Sequence, residues 1–335
     1  MNRSPRTLAG ALVLTLGLLL SGCALNTEPT FRAGTAVAGG GTSKAAVGAR
    51  TTYDVTPLLH PDKKYFGAAL SDIPKSLAKT RTYQSTVGKA PNLLAFYASW
   101  GDAYDVSGVR RIFGYGALPY MAWEPYHTTL EAIADGRTDD YVRSVAQSVL
   151  SADVPVAISF GHEMNGDWYP WGRQAATADQ FVRAWKHVHD IFQQVGATNV
   201  IWVWSPNNIY PAPKVKLKPY YPGDAYVDWV GVIGYYTVDG PRTFSVLFDP
   251  TFRQVRTFSK RPFLISETAS EMSGRRLADV DDLFSGVQAR PDVLGFIWFD
   301  IVKRADWRIE RTPGPLADFK RRASNPVYGF DVRNP

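Results

Sequence analysis

Short continuous apolar runs alternate with amphipathic helical segments along most of this chain, and this alternation constrains the fold more than any other feature. An apolar run set between helices is typical of a parallel strand that is covered on both faces. Eight such runs follow residue 60, and eight strands make a (β/α)8 barrel. The sequence therefore predicts an α/β fold with a single (β/α)8 TIM barrel. The predicted strands are residues 65–70, 93–100, 118–123, 156–160, 200–204, 229–235, 263–267 and 294–299.

Two helices between these strands have clear start and stop signals. Thr177 and Gln180 form a capping-box pair, apolar residues then recur at helical spacing, and Gly196 is a plausible terminator. Asp139 and Asp140 open a second helix, where their charge suits the helix dipole. A doubly wound open sheet would also alternate strands and helices. No G-x-G-x-x-G pattern follows the first strand, so we favour the barrel.

The first 23 residues have the sequence pattern of a targeting signal. Arg3 and Arg6 precede an apolar run over residues 8–20, which is shorter than the roughly 18 residues that indicate a membrane-spanning helix. The run ends in Leu-Ser-Gly-Cys, a sequence that resembles a bacterial lipoprotein signal, and Cys23 is the only cysteine. We predict a signal peptide over residues 1–22, a lipid anchor to the membrane at Cys23, and an extracellular or cell-envelope location. An ordinary secretory signal with a chance cysteine is the alternative.

Composition divides the rest of the chain. Residues 23–60 are rich in Gly, Ala and Thr without helical or strand periodicity, which predicts a flexible tether. We predict the barrel over residues 61–325 and a short C-terminal tail over residues 326–335. The net charge of +6 comes from scattered basic residues with no Lys/Arg block, so we expect no nucleic-acid partner.

Two glutamates mark the ends of predicted strands four and seven. Glu163 follows the fourth strand and Glu267 ends the seventh, at the end of a barrel where catalytic groups lie. Two facing carboxylates are what glycoside hydrolysis needs, because one donates a proton to the leaving oxygen and the other attacks C1 or activates water. Ten Trp and 17 Tyr suit a carbohydrate cleft, since aromatic rings pack on the flat faces of sugars. A salt bridge at the rim is the alternative for either glutamate.

His162 precedes Glu163 in a His-Glu pair of the kind that occurs in zinc sites. The H-E-x-x-H spacing would require a second histidine at position 166, which is glycine. We therefore predict no metal and no cofactor. His162 is expected to line the sugar pocket instead.

Residues 162–171 read His-Glu-Met-Asn-Gly-Asp-Trp-Tyr-Pro-Trp, which resembles the signature of glycoside hydrolase family 26. Residues 220–231 and 265–267 extend the resemblance, which covers about residues 61–325. It implies a (β/α)8 barrel that acts with retention, with Glu163 as the acid/base and Glu267 as the nucleophile.

The resemblance also implies a set of substrate-binding residues. Tyr235 matches a tyrosine that hydrogen-bonds the nucleophile, while Trp168 and Trp298 match aromatic residues that floor the sugar subsites. Trp123 and Asn207 are weaker candidates for sugar contacts. A buried structural role is the alternative for Tyr235.

For the substrate, the resemblance implies a β-linked polysaccharide. The family is best known for endo-β-1,4-mannanases, which favours mannan or glucomannan, and it also contains β-1,3-1,4-glucanases and β-1,3-xylanases. A glucanase of the lichenase type is the alternative within the family. A lipoprotein that binds polysaccharide without cleaving it is an alternative of another class. An enzyme that acts on the envelope glycan of its own producer is a further one.

Overall fold

Eight parallel strands close into a barrel in the computed structural model, which describes residues 52–212 and 214–335. The predicted (β/α)8 barrel is therefore confirmed, and all eight predicted strands are present. The barrel strands are β1 (Tyr65–Ala69), β2 (Leu93–Ser99), β3 (Leu118–Glu124), β4 (Val156–Phe160), β5 (Val200–Trp204), β6 (Trp229–Ile233), β7 (Phe263–Thr268) and β8 (Val293–Phe299). A two-stranded antiparallel hairpin, β9 (Val302–Lys303) and β10 (Ala305–Asp306), follows β8.

Helices cover the outside of the barrel and supply the second apolar layer. They are α1 (Thr56–Leu59), α2 (Ala78–Val87), α3 (Val106–Tyr115), α4 (Leu130–Ala134), α5 (Asp139–Ala152), α6 (Ala178–Val195), α7 (Phe244–Val255), α8 (Arg276–Ala289) and α9 (Pro313–Ala323). Between β5 and β6 the described residues form only a short 3-10 helix, Lys218–Tyr220. The strands are buried almost throughout because the barrel interior covers one face and the helices cover the other.

Helix α6 shows how local sequence fixes the ends of an element. The Thr177 side chain accepts a hydrogen bond from the backbone N–H of Gln180, and the Gln180 side chain accepts one from the backbone N–H of Thr177. This is the predicted capping box, and it satisfies N–H groups that the helix itself cannot pair. Gly196 ends the helix in the left-handed conformation with φ of 82°.

The barrel closes where β8 pairs with β1. Five residues of β1 pair in register with residues 295–299 of β8. Gly295 has φ of +150°, and a Cβ there would lie 2.7 Å from the backbone nitrogen of Tyr65 and 2.8 Å from its carbonyl carbon. Only glycine allows the two backbones to approach this closely.

The segment after α9 packs against the end of the barrel where the strands begin. Tyr328 and Val332 are fully buried, and the Tyr328 hydroxyl donates to the backbone carbonyl of Phe284 at 3.2 Å. Lys64, just before β1, pairs with Tyr328 as an isolated bridge. The last residues therefore add to the barrel core.

The predicted signal peptide, Cys23 and most of the predicted tether lie outside the described residues. Among residues 52–212 and 214–335, no helix combines the length and the apolar character needed to cross a membrane.

Replacing Gly295 with Ala should destabilise the barrel by on the order of 3 kcal/mol, because the added methyl group forces β1 and β8 apart. Urea unfolding of the wild type and the variant measures the difference in the free energy of unfolding. Gly274→Ala is the matched control, because a Cβ at Gly274 meets nothing within 4 Å. Equal destabilisation of the two variants would contradict this account of the closure.

Candidate active site

Glu163 and Glu267 lie at the same end of the barrel, where β4 and β7 finish. Glu267 is the second-last residue of β7, and Glu163 comes three residues after the last residue of β4. Glu163 itself has a left-handed backbone with φ of 55°. Its N–H donates to the Ser205 carbonyl at 2.7 Å, and its own carbonyl accepts from the Gly166 N–H at 2.9 Å. These bonds hold an unfavourable conformation of the kind that occurs at functional sites.

The Glu163 carboxyl is buried and held by two donors from different loops. The Asn207 side-chain amide donates to one oxygen, and the Trp168 indole N–H donates to the other at 3.0 Å. Burial, and to a smaller extent the negative charge of Glu267, raise the pKa of Glu163 to about 7, while the two hydrogen bonds act in the opposite direction. Glu163 therefore keeps a proton at mildly acidic pH, as a general acid requires.

The Glu267 carboxyl accepts two hydroxyl hydrogen bonds. Tyr97 donates to one of its oxygens and Tyr235 donates to the other. Burial raises the pKa of Glu267, while the two hydroxyl donors and the charge of Lys303 act in the opposite direction. The donors favour the ionised form, which is the form that can act as a nucleophile.

His162 lies beside the two glutamates as a neutral, buried imidazole. Burial lowers its pKa to about 3, and the nearby charge of Lys303 lowers it too. Its Nε2 lies 3.3 Å from the Tyr169 hydroxyl and 3.9 Å from a carboxyl oxygen of Glu124. The Trp171 indole donates to the His162 backbone carbonyl at 2.7 Å, which fixes this turn. Trp171 is buried and serves packing.

Three predicted substrate-binding residues meet the catalytic pair directly. Trp168 and Asn207 hydrogen-bond Glu163, and Tyr235 hydrogen-bonds Glu267. Trp168 is 46% exposed, which leaves it accessible to a ligand. The sugar-binding roles of these residues stay predictions.

Two predicted sugar contacts are wrong in this structure, because their rings face the helices. Trp123 and Trp298 are each only 1% exposed. Trp123 stacks on Trp100 with ring centres 4.6 Å apart, and Trp298 packs on Phe319 of α9 with ring centres 5.2 Å apart. Neither indole can contact a sugar in the cleft.

The residues next in sequence face the cleft instead, because side chains alternate along a strand. Glu124 follows Trp123 and approaches His162. Phe299 follows Trp298, and its ring centre lies 6.3 Å from that of Tyr97 and 6.0 Å from that of Tyr235.

Sequence reasoning missed four residues around the pair, namely Tyr97, Glu124, Tyr169 and Lys303. Tyr97 lies near the end of β2 and Glu124 ends β3, so reading polar and aromatic residues at every strand end would have found both. Tyr169 is part of the quoted signature without having been given a role. Lys303 lies in the hairpin after β8, and no local pattern marks it.

Within the described part of the chain, no group of three or more His, Cys, Asp or Glu side chains could hold a metal ion.

The (β/α)8 barrel presents one glutamate at the end of β4 and another at the end of β7. One carboxyl is kept protonated, and the other accepts hydrogen bonds from two hydroxyl donors. This arrangement defines a glycoside hydrolase. Residues 129–296 match the model of glycosyl hydrolase family 26. The chain belongs to this family, as the signature at residues 162–171 predicted. Membership favours a hydrolase over a lipoprotein that binds polysaccharide without cleaving it.

Individual relatives share modest identity with the chain. Endoglucanase H of Acetivibrio thermocellus is 27% identical over 267 residues, which are 74% of this chain and 29% of that protein. A mannan endo-1,4-β-mannosidase of Bifidobacterium adolescentis is 23% identical over 214 residues, which are 63% of this chain and 20% of that protein. The chain therefore spans less than a third of the length of these two curated relatives.

Among solved structures, a family 26 β-mannanase from Bacteroides ovatus has the same fold. It superposes with a TM-score of 0.62 at 16% sequence identity, over 82% of this chain and 92% of that chain. The likeness supports the barrel and its strand order.

Replacing Glu267 with Gln removes a negative charge that raises the pKa of Glu163. We expect the pKa of Glu163 to fall below 7 and to stay above its ordinary value of 4.5, because burial remains. Asn207→Ala should raise the same pKa, since the carboxylate loses a donor. Carbon-13 NMR of the glutamate carboxyls measures both shifts. An unchanged pKa of Glu163 in the Glu267→Gln variant would show that the two carboxyls do not interact.

Proposed function

We propose that this chain is a retaining endo-β-glycanase that hydrolyses β-1,4-mannan or glucomannan by double displacement. The observation that carries the proposal is the difference between the electrostatic environments of the two carboxyls. Burial and a like charge keep a proton on Glu163, while two hydroxyl donors favour the ionised form of Glu267. Pairs of titratable groups with different protonation states divide the acid and nucleophile roles between them.

In the first step, Glu163 donates its proton to the glycosidic oxygen while Glu267 attacks the anomeric carbon. The bond to the leaving sugar breaks, and a covalent glycosyl ester forms on Glu267. The ester carries no charge, so the electrostatic cause that raised the pKa of Glu163 disappears at this moment. Glu163, now ionised, then takes a proton from the water that attacks the anomeric carbon and releases the sugar.

The relatives support two substrate classes. Several relatives are mannan endo-1,4-β-mannosidases by name, and the Bacteroides ovatus structure is that of a β-mannanase, which favours a mannan. Endoglucanase H matches 74% of this chain, which makes a β-glucan the second candidate. Mannose and glucose differ in the orientation of one hydroxyl at C2, so the discrimination rests on a few hydrogen bonds in the cleft.

We also propose that the enzyme acts outside the cell from a membrane anchor. The supporting observations are the basic start, the apolar run over residues 8–20 and the Leu-Ser-Gly-Cys sequence that ends at Cys23.

The catalytic assignment is tested with glucomannan, galactomannan, lichenan and β-1,3-xylan, with the anomer of the first product read by proton NMR. We expect cleavage of a mannan with retention. Glu163→Gln should lower kcat by roughly 10²- to 10⁴-fold on these polymers, and less on an aryl glycoside whose leaving group needs no proton. Glu267→Ala should lose turnover on both kinds of substrate.

Glu131→Gln is the matched control, because Glu131 is an exposed glutamate on α4 outside the site. An inverted product, or full activity in Glu267→Ala, would contradict the mechanism. Cleavage of lichenan alone would replace mannan with mixed-linkage glucan as the substrate.

Cys23→Ser should move the enzyme from the membrane fraction to the soluble fraction and abolish incorporation of radiolabelled palmitate. The reason is that this substitution removes the thiol to which the lipid would be attached. Immunoblots of the fractions from the producing bacterium measure the change, with Ser21→Ala as a control that keeps the thiol. Labelled palmitate in the Cys23→Ser variant would contradict the anchor.

A further inference from the structure

Glu124 lies beside the catalytic pair with a largely buried side chain, and its carboxyl makes no hydrogen bond within the described part of the chain. Glu124 ends β3 and is 8% exposed. Its nearest basic group, Nε2 of His162, lies 3.9 Å away, which is beyond hydrogen-bond distance. A carboxyl that opens to a cleft without a protein partner is free to hydrogen-bond the polar groups of a ligand.

The polar groups around Glu124 come from four elements and leave its carboxyl open to the cleft. His162 after β4 contributes a neutral imidazole whose Nδ1 is buried and has no partner among the described residues. Lys303 of the β9–β10 hairpin contributes a positive charge, and its Nζ lies 5.8 Å from the ring centre of Tyr97 on β2. Glu267 on β7 contributes a negative charge.

These surroundings keep the Glu124 carboxyl in a state that can both accept and donate hydrogen bonds near neutral pH. Burial raises the pKa of Glu124 to about 7, the charge of Lys303 lowers it, and that of Glu267 raises it. The double-displacement mechanism uses Glu163 and Glu267 and gives Glu124 no task. Glu124 and Lys303 also lie outside residues 129–296, so the match to the family model assigns them no role.

A sugar fits this site better than an ion does. Each hydroxyl of a pyranose donates one hydrogen bond and accepts others, and neighbouring hydroxyls can pair with a carboxyl and an ammonium group at once. A cation would meet Lys303, and an anion would meet Glu124 and Glu267, so either would be repelled by a group of its own sign.

We propose that Glu124 is a specificity-determining residue that accepts hydrogen bonds from the hydroxyls of a pyranose bound beside the Glu163–Glu267 pair, with Lys303 on the open side of the same subsite. The inference rests on the proposed function, because it requires a glycan in the cleft. It adds to that function by naming the residue that hydrogen-bonds the hydroxyls of the bound sugar.

The test measures binding without turnover, in a Glu267→Ala parent titrated calorimetrically with a β-1,4-manno-oligosaccharide and a mixed-linkage gluco-oligosaccharide. Adding Glu124→Ala should weaken binding of the preferred oligosaccharide by roughly 10- to 100-fold, because the hydroxyls lose a charged acceptor. Glu124→Met keeps the side-chain volume and removes both oxygens, so it should weaken binding to the same extent even if the alanine variant does not fold. Adding Glu131→Gln to the parent should leave the affinity unchanged.

The possible results separate this inference from the proposed function. A merely structural role for Glu124 would lower the Tm without a selective loss of affinity, and that result would overturn the subsite. Unchanged affinity in both Glu124 variants would overturn it as well, while the proposed function would stand. If the Glu267→Ala parent bound neither oligosaccharide, the subsite and the proposed function would both be overturned.

Discussion

The repulsion between the charge of Glu267 and the buried carboxyl of Glu163 is the interaction on which the rest of the site depends. The barrel brings the ends of β4 and β7 to one rim, and burial at that rim disfavours ionisation of both carboxyls. Hydroxyl donors from Tyr97 and Tyr235 favour the ionised form of Glu267, and the negative charge of Glu267 in turn favours the protonated form of Glu163. Two identical side chains thereby acquire different protonation states, and that difference is what an acid and a nucleophile require.

This arrangement has a cost in stability at neutral pH. Glu163 binds its proton more tightly in the folded protein, with a pKa of about 7, than in the unfolded chain, with an ordinary pKa of 4.5. The stability that the protonated carboxyl contributes is complete below pH 4.5 and is lost as the pH rises through 7. Above that pH the hydrogen bonds from Asn207 and Trp168 only partly offset the burial of an ionised group. The burial that makes Glu163 a general acid therefore also lowers the stability of the folded protein at neutral pH.

The strands and the catalytic pair could be predicted from the sequence because both depend on local pattern. A continuous apolar run is a parallel strand once helices flank it, and a glutamate at its end reaches the rim whatever the exact register. The direction of a strand side chain is different, since a shift of one residue moves it to the other face. Trp298 and Phe299 are adjacent aromatic residues, and the register shifts between β7 and β8, so no local rule chose between them.

Recognition of the sugar depends on groups whose position no local pattern fixes. Lys303 lies in the hairpin that follows β8, and Arg276, a buried side chain on α8, binds the chain just after this hairpin. The Arg276 guanidinium donates to the backbone carbonyl of Trp307 at 2.8 Å and to that of Arg308 at 3.2 Å. From the sequence alone, an arginine at the start of a helix is expected to be exposed to solvent. The contacts that bury Arg276 join residues about 30 positions apart in the chain. The reacting carboxyls lie at strand ends. The groups proposed to bind the sugar hydroxyls lie partly on loops, as Lys303 does, and such loops are positioned by distant contacts. For this reason the chemistry could be read from the sequence, while the choice between mannan and glucan could not.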